Sequence, residues 1–147
     1  MHNPYQQYQN VSVAGKNQLE LMLMLYDGAI NFLRQAQAHI HSGNIEPAHN
    51  DLIKAKRIVM HLISTLDPER VPPEGKDLVS NLLRLYVFCY ERITTANLKK
   101  DGAEAAAAIG VLQKLREGWA QLRASGTYSP ATAPPVIDQP TIDLAEA

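Results

Sequence analysis

Glu46 and His49 are the first residues whose types and spacing could do chemistry. A Glu-x-x-His pair on a helix belongs to the donor set of di-iron bundles, where two such pairs and two further carboxylates point inward. Here the pair occurs once, at a helix start beside Pro47, with no interior carboxylates at matching depth, which argues against a metal centre. His39 and His41 are two apart, so on a helix they face different directions and read as solvated imidazoles. Cys89 is the only cysteine, which excludes an internal disulfide framework and a cysteine zinc site. It lies in an apolar run without an evident histidine partner and reads as a small buried side chain. No glycine-rich phosphate loop follows a strand, because no strand pattern exists. The sequence thus offers no catalytic residue, no metal site and no cofactor site, and an enzyme is not expected.

The elements that would position any site are helices. In Leu19–Leu33, LELMLMLYDGAINFL, the residues Leu19, Met22, Tyr26, Ala29 and Leu33 recur at steps of three and four, continuing through Ala36 to Ile40. That spacing is one stripe of an α-helix. Leu21, Leu23, Met24, Leu25, Ile30 and Phe32 lie off the stripe, so the middle of the helix is apolar nearly all round. Such a helix is either central to the core or carries a second face for something else. Asp27–Gly28 resembles a hairpin turn, but the 3.6 period runs through it and no strand alternation flanks it. Gly28 costs the helix about 1 kcal/mol and suggests close approach of a neighbouring backbone.

Helix one is expected from near Gly15 to Gly43, with Gly43 in the left-handed position after its end. The short link Ser42–Asn44 implies an antiparallel neighbour, and Asn44 is placed to cap helix two. The second stripe is Ala48, Leu52, Ala55, Val59, Leu62 and Leu66, widened by Ile53, Ile58, Met60 and Ile63, until Asp67–Pro68 stops it and a proline-rich link runs to Gly75. Helix three spans about Lys76–Lys99 with the stripe Leu78, Leu82, Leu85, Cys89, Arg92 or Ile93, and Ala96; the run Lys99–Gly102 closes it. Helix four runs from about Ala103 to Ser125 with Ala108, Leu112, Leu115, Trp119 and Leu122. The expected fold is all-α, an antiparallel up-down-up-down four-helix bundle. Residues 1–14 form an N-terminal arm, 15–125 the bundle, and 126–147, with four prolines and no Lys or Arg, a disordered tail.

The formal net charge of −1 provides no basic field for nucleic acid or an anionic membrane. The polar start MHNPYQQYQN has neither a basic nor an apolar segment of a secretory signal, and Glu20, Asp27 and Asn31 interrupt the longest apolar run. No nucleic acid, no membrane insertion and a cytosolic location are expected. What stays unexplained is apolar surface beyond the roughly three positions in seven that a bundle helix needs. Helices one and three exceed that figure for several turns, which suits a groove for amphipathic partner helices. The rival use is a homodimer interface of a regulatory or structural bundle, and a weak self-association is compatible with either.

The residues also resemble a known family, the flagellin-specific export chaperones (the FliS family). The resemblance covers about residues 4–123 and rests on NPYQQY, LMLMLYDGAINFL, DLIKAKRIVMHLISTLD, LLRLYVFCYERITTANLKKD and the Trp119 helix, in that order. Gly15–Lys16–Asn17–Gln18 stands where the family usually has a Ser-Pro-type helix start. The resemblance implies a cytosolic chaperone that binds the disordered C-terminal segment of flagellin and prevents its premature polymerisation. It would then deliver flagellin to a component of the flagellar type III export gate. It also gives Tyr5 and Tyr8 the role of a movable cover over the client groove. The candidate contact residues are apolar positions off the core stripes of helices two and three: Ile53, Met60, Val79, Leu83, Tyr86 and Tyr90.

Overall fold

The computed structural model describes residues 18–125, and within them the chain is helical apart from its links: α1 Gln18–His41, α2 Ile45–Ser64, α3 Lys76–Lys99 and α4 Gly102–Ser125. The arm, with Tyr5 and Tyr8, and the tail lie outside the described residues, as does the expected helix start at Gly15. Each link has a chemical cause. Gly43, at φ 76°, ends α1 in a Schellman arrangement: its N–H reaches the Ile40 carbonyl at 3.1 Å, and that of Asn44 reaches His39 at 2.8 Å. Asn44 does not cap α2 with its side chain, contrary to expectation. Its backbone sits at φ −86°, ψ 81°, off the extended geometry from which a capping side chain reaches back. Between α2 and α3 the prolines set two short 3-10 turns, Pro68–Arg70 and Pro73–Gly75, the first capped by the Asp67 side chain. Lys100 takes the left-handed position after α3, at φ 50°, and its ammonium reaches back to the Asn97 carbonyl at 2.6 Å. Asp101 then caps α4 by accepting from the Ala103 N–H at 2.9 Å.

Side-chain pairs fix the packing order and direction. Between α1 and α2, Lys54 lies over the Phe32 ring and His39 faces Asp51. Between α2 and α3, His49 meets Asn97 and Lys56 meets Tyr90. Between α3 and α4, Arg92 pairs with Glu104 and the Cys89 thiol points at the Ala108 carbonyl. Between α1 and α4, Gln37 donates to the Gly102 carbonyl and Arg116 pairs with Asp27. In every set the numbers rise on one helix as they fall on the other, so the four helices form a closed antiparallel ring in chain order.

α1 is the central element. Its whole stripe from Leu19 to Ala36 is buried, and so are Leu23, Leu25, Ile30 and Phe32, because α2 and α4 flank it on both sides. Most of its apolar excess is therefore core, with only Leu21 and Met24 half-buried; Gly28 is buried with it. α2 buries Ala48, Leu52, Ala55, Val59 and Leu62 of the expected stripe and Ile58 of the residues widening it, while Leu66, Ile53 and Ile63 are half-buried and Met60 is exposed. α4 buries Ala105, Ala108, Ile109, Leu112 and Trp119.

On α3 the expected stripe is one position out of phase. Leu82, Cys89, Ile93 and Ala96 are buried, but they are joined by Val79 and Tyr86, whereas Leu78 and Leu85 face outward. Steps of 4-3-4 and of 3-4-3 share Leu82 and Cys89, so apolar spacing alone fits both. Polar chemistry decides the phase. The Tyr86 hydroxyl meets that of Tyr26 at 2.5 Å, and the Trp119 indole N–H donates to the Tyr26 hydroxyl at 3.0 Å. This buried triad ties α1, α3 and α4 together, and burial pushes the Tyr26 phenol up to about 12.

One buried charge opposes stability. Asp51 is buried on α2, and its Oδ2 has no hydrogen-bond partner, standing 3.6 Å from His39 Nε2. Burial pushes its carboxyl above the usual value, while His39 and Lys54 pull the other way. A raised carboxyl pKa means that the folded state holds the proton more tightly than the unfolded one. The charged form thus costs stability above that pKa, and the cost disappears as pH falls through it. Asp51→Asn is expected to raise the urea midpoint at about pH 7, with a gain that shrinks at about pH 4. A lower midpoint at neutral pH would show that the carboxylate is a net stabiliser.

Candidate functional site

The surface that the core leaves over lies along the outer seam of α2 and α3. On α2, His49, Ile53, Lys56, Met60 and Ile63 recur at steps of four and three, one position beyond the buried stripe. On α3, Leu83, Val87, Tyr90, Thr94 and Asn97 form the matching row, again one position beyond the buried residues. The contacts His49–Asn97, at 3.1 Å, and Lys56–Tyr90, with the ammonium 4.9 Å from the ring centroid, show that these two rows face each other.

Between the rows the surface dips. Ile53, Lys56, Arg57, Met60 and Tyr90 line a depression of about 260 Å³. A second, of about 280 Å³, lies on α2 alone, lined by His49, Asn50, Ile53, Lys54 and Arg57, and neighbours the first at Ile53 and Arg57. Met60 is 52% exposed, unusual for methionine, whose flexible thioether adapts to varied apolar partners. The seam depression is thus a trough with an apolar floor at Ile53, Met60 and Tyr90 and two cationic side chains, Lys56 and Arg57, and no acidic residue lines it.

Four of the expected contact residues meet on this seam: Ile53, Met60, Leu83 and Tyr90. Val79 and Tyr86 do not. Each is 1% exposed in the core, so the reading of them as spare surface is corrected. The error has the same source as the stripe: with the phase of α3 one position out, core and flank exchange places. Val87, 37% exposed between Leu83 and Tyr90, belongs to the seam and was overlooked; the 83-87-90 spacing was its signal. A second outward apolar row, Leu78, Leu85 and Phe88, lies on the other flank of α3, where Arg92 stacks over Phe88 and reaches Glu104.

The arrangement suits binding. Burial pushes the Cys89 thiol up to about 12, which removes its nucleophilic thiolate. Glu46 and His49 are both exposed at the start of α2, and His49 contacts Asn97. Among the described residues no group of three His, Cys, Asp or Glu side chains is placed to hold a metal ion. Among the same residues no helix is long and apolar enough to cross a membrane.

Comparison with known proteins points one way. A family model described as flagellar protein FliS matches residues 1–126. The chain is 33% identical over 121 residues to the flagellar secretion chaperone FliS of Bacillus subtilis, covering 82% of this chain and 86% of that protein. Against the flagellar secretion chaperone FliS of Vibrio cholerae it is 32% identical over 126 residues, covering 83% and 90%. In fold it matches the crystal structure of a bacterial flagellar chaperone at a TM-score of 0.67 and 21% identity, over 84% of this chain and 99% of that one.

Proposed function

The chain belongs to the FliS family of flagellar secretion chaperones, and from that premise we propose that it binds the C-terminal segment of flagellin in the cytosol. Bound there, it keeps flagellin from polymerising and hands it to a component of the flagellar export gate. The observation that carries the reading is the α2–α3 trough, an apolar floor open to solvent in a bundle whose core is otherwise closed. A client segment that forms amphipathic helices in its final assembly exposes an apolar stripe before assembly. A trough holding Ile53, Met60 and Tyr90 can cover such a stripe, the segment folding as it binds. Binding of this kind needs no nucleotide, since release follows from transfer to the next partner. Tyr5 and Tyr8 serve in this reading as a cover displaced by the client.

The test mixes the chain with flagellin and with a flagellin C-terminal fragment. The expected result is a one-to-one complex with the fragment and suppression of flagellin polymerisation at stoichiometric, not catalytic, ratios. An unchanged polymerisation rate in the presence of excess chain would overturn the reading. A constant dimer indifferent to the fragment would assign the seam to self-association instead.

A further inference from the structure

Charge is divided unevenly along this chain. Residues 126–147 hold three carboxylates, Asp138, Asp143 and Glu146, and no Lys or Arg, leaving residues 1–125 with two more cations than carboxylates. The same stretch has two apolar clusters, Val136–Ile137 and Ile142–Leu144, with Asp138 directly after the first and Asp143 inside the second. The α2–α3 trough is the complement: an apolar floor at Ile53, Met60 and Tyr90 bordered by Lys56 and Arg57, with no acidic lining residue.

Reach permits the match. Trp119 on α4 meets Tyr26 in the first half of α1, so α4 ends at Ser125 at the end of the bundle where α2 also ends. Met60 lies about one turn from that end. The spacer from Gly126 to Pro135 has ten residues, three of them prolines. At the roughly 3.1 Å per residue of a polyproline-type chain it spans about 31 Å. The walk from the end of α4 around α3 to the seam crosses about two helix spacings, roughly 20 Å.

We propose that residues 136–144 of this chain occupy the α2–α3 trough of the same molecule in the absence of client, with their apolar clusters on Ile53 and Met60 and Asp138 and Asp143 toward the trough cations. The regulatory meaning rests on the reading of the trough as the client site: the segment is then an internal competitor that the client displaces. Because the segment is tethered, its local concentration is of millimolar order. A contact too weak to persist between separate molecules is then enough to weaken client binding several-fold.

The test uses the full chain with Val136, Ile137, Ile142 and Leu144 all replaced by Ser, which leaves the bundle sequence untouched. The side-chain methyl NMR signals of Ile53 and Met60 are compared between this variant and the unaltered chain. The expected result is a shift of both signals in the variant and roughly three- to tenfold tighter binding of a flagellin C-terminal fragment. Raising the salt to about 1 M, where the screening length is about 3 Å, is expected to move the unaltered chain's signals toward the variant's. Identical signals in the two chains overturn the proposal. Signals that change with protein concentration assign the trough to a second copy, and signals that answer to Tyr5→Ala and Tyr8→Ala but not to the tail assign it to the arm; either overturns it. If the flagellin fragment binds neither chain while the methyl signals still answer to the tail, occupancy by the tail stands and the client reading fails.

Discussion

Tyr86→Ala is expected to cost the bundle about 3–5 kcal/mol, the cost typical of truncating a large aromatic in a closed core. The ring is 1% exposed, lies 6.4 Å from the Tyr26 ring at 46°, and holds its hydroxyl against Tyr26 deep in the bundle. Removing it leaves a cavity and strips one partner from the triad that joins three helices. A domain of this size commonly has about 5–15 kcal/mol in total, so roughly a fifth or more of the stability is at stake. Tyr86→Phe separates the two contributions. It keeps the ring and removes only the hydroxyl, for an expected loss of about 1 kcal/mol. Urea unfolding followed by far-UV circular dichroism checks both. A loss below about 1 kcal/mol for Tyr86→Ala would return this residue to the surface, where the sequence had placed it.

The opposite pattern is expected at the trough. Ile53→Asp combined with Met60→Asp puts two charges on an apolar floor that a partner must cover. Desolvating them costs enough to reduce affinity for a flagellin C-terminal fragment by about 100-fold or more, or roughly 2.7 kcal/mol. Met60 is half exposed and Ile53 half buried, so the stability loss should remain near 1 kcal/mol or less. The two measurements belong together. Affinity that falls while the urea midpoint stays in place identifies a binding surface. Unchanged affinity for the double variant would exclude the trough as the client site.

These two residue sets also show what could be read from the sequence. Three- and four-residue steps, Gly43 and the proline-rich link placed all four helices, because local periodicity and turn chemistry are written along the chain. The choice between Leu78/Leu85 and Val79/Tyr86 as the buried phase of α3 was not written there. It depends on Tyr26, sixty positions away, which meets Tyr86 only after the helices pack and which in turn accepts from Trp119. The same limit explains α1, whose all-round apolarity is read equally well as a second face until α2 and α4 are seen on both its flanks. Ile53, Met60, Leu83 and Tyr90 were legible as flank positions because each stands one step beyond a residue that the packing does bury. The cations beside them, Lys56 and Arg57, were not singled out, since nothing in local spacing marks a charged side chain as bordering a depression.

Trp119 is the only tryptophan in the chain, and it is buried on α4 with its indole N–H donating to Tyr26 of α1. The protein therefore carries a built-in optical reporter whose location is known. Its emission will shift to longer wavelength when the triad opens and water reaches the ring. α4 does not border the α2–α3 seam, so an event confined to the trough has no direct route to that fluorophore. Titrations can be run without a label, with Tyr90 and its neighbours watched by other means. A change in Trp119 emission on adding a partner would signal that the helices themselves have moved apart.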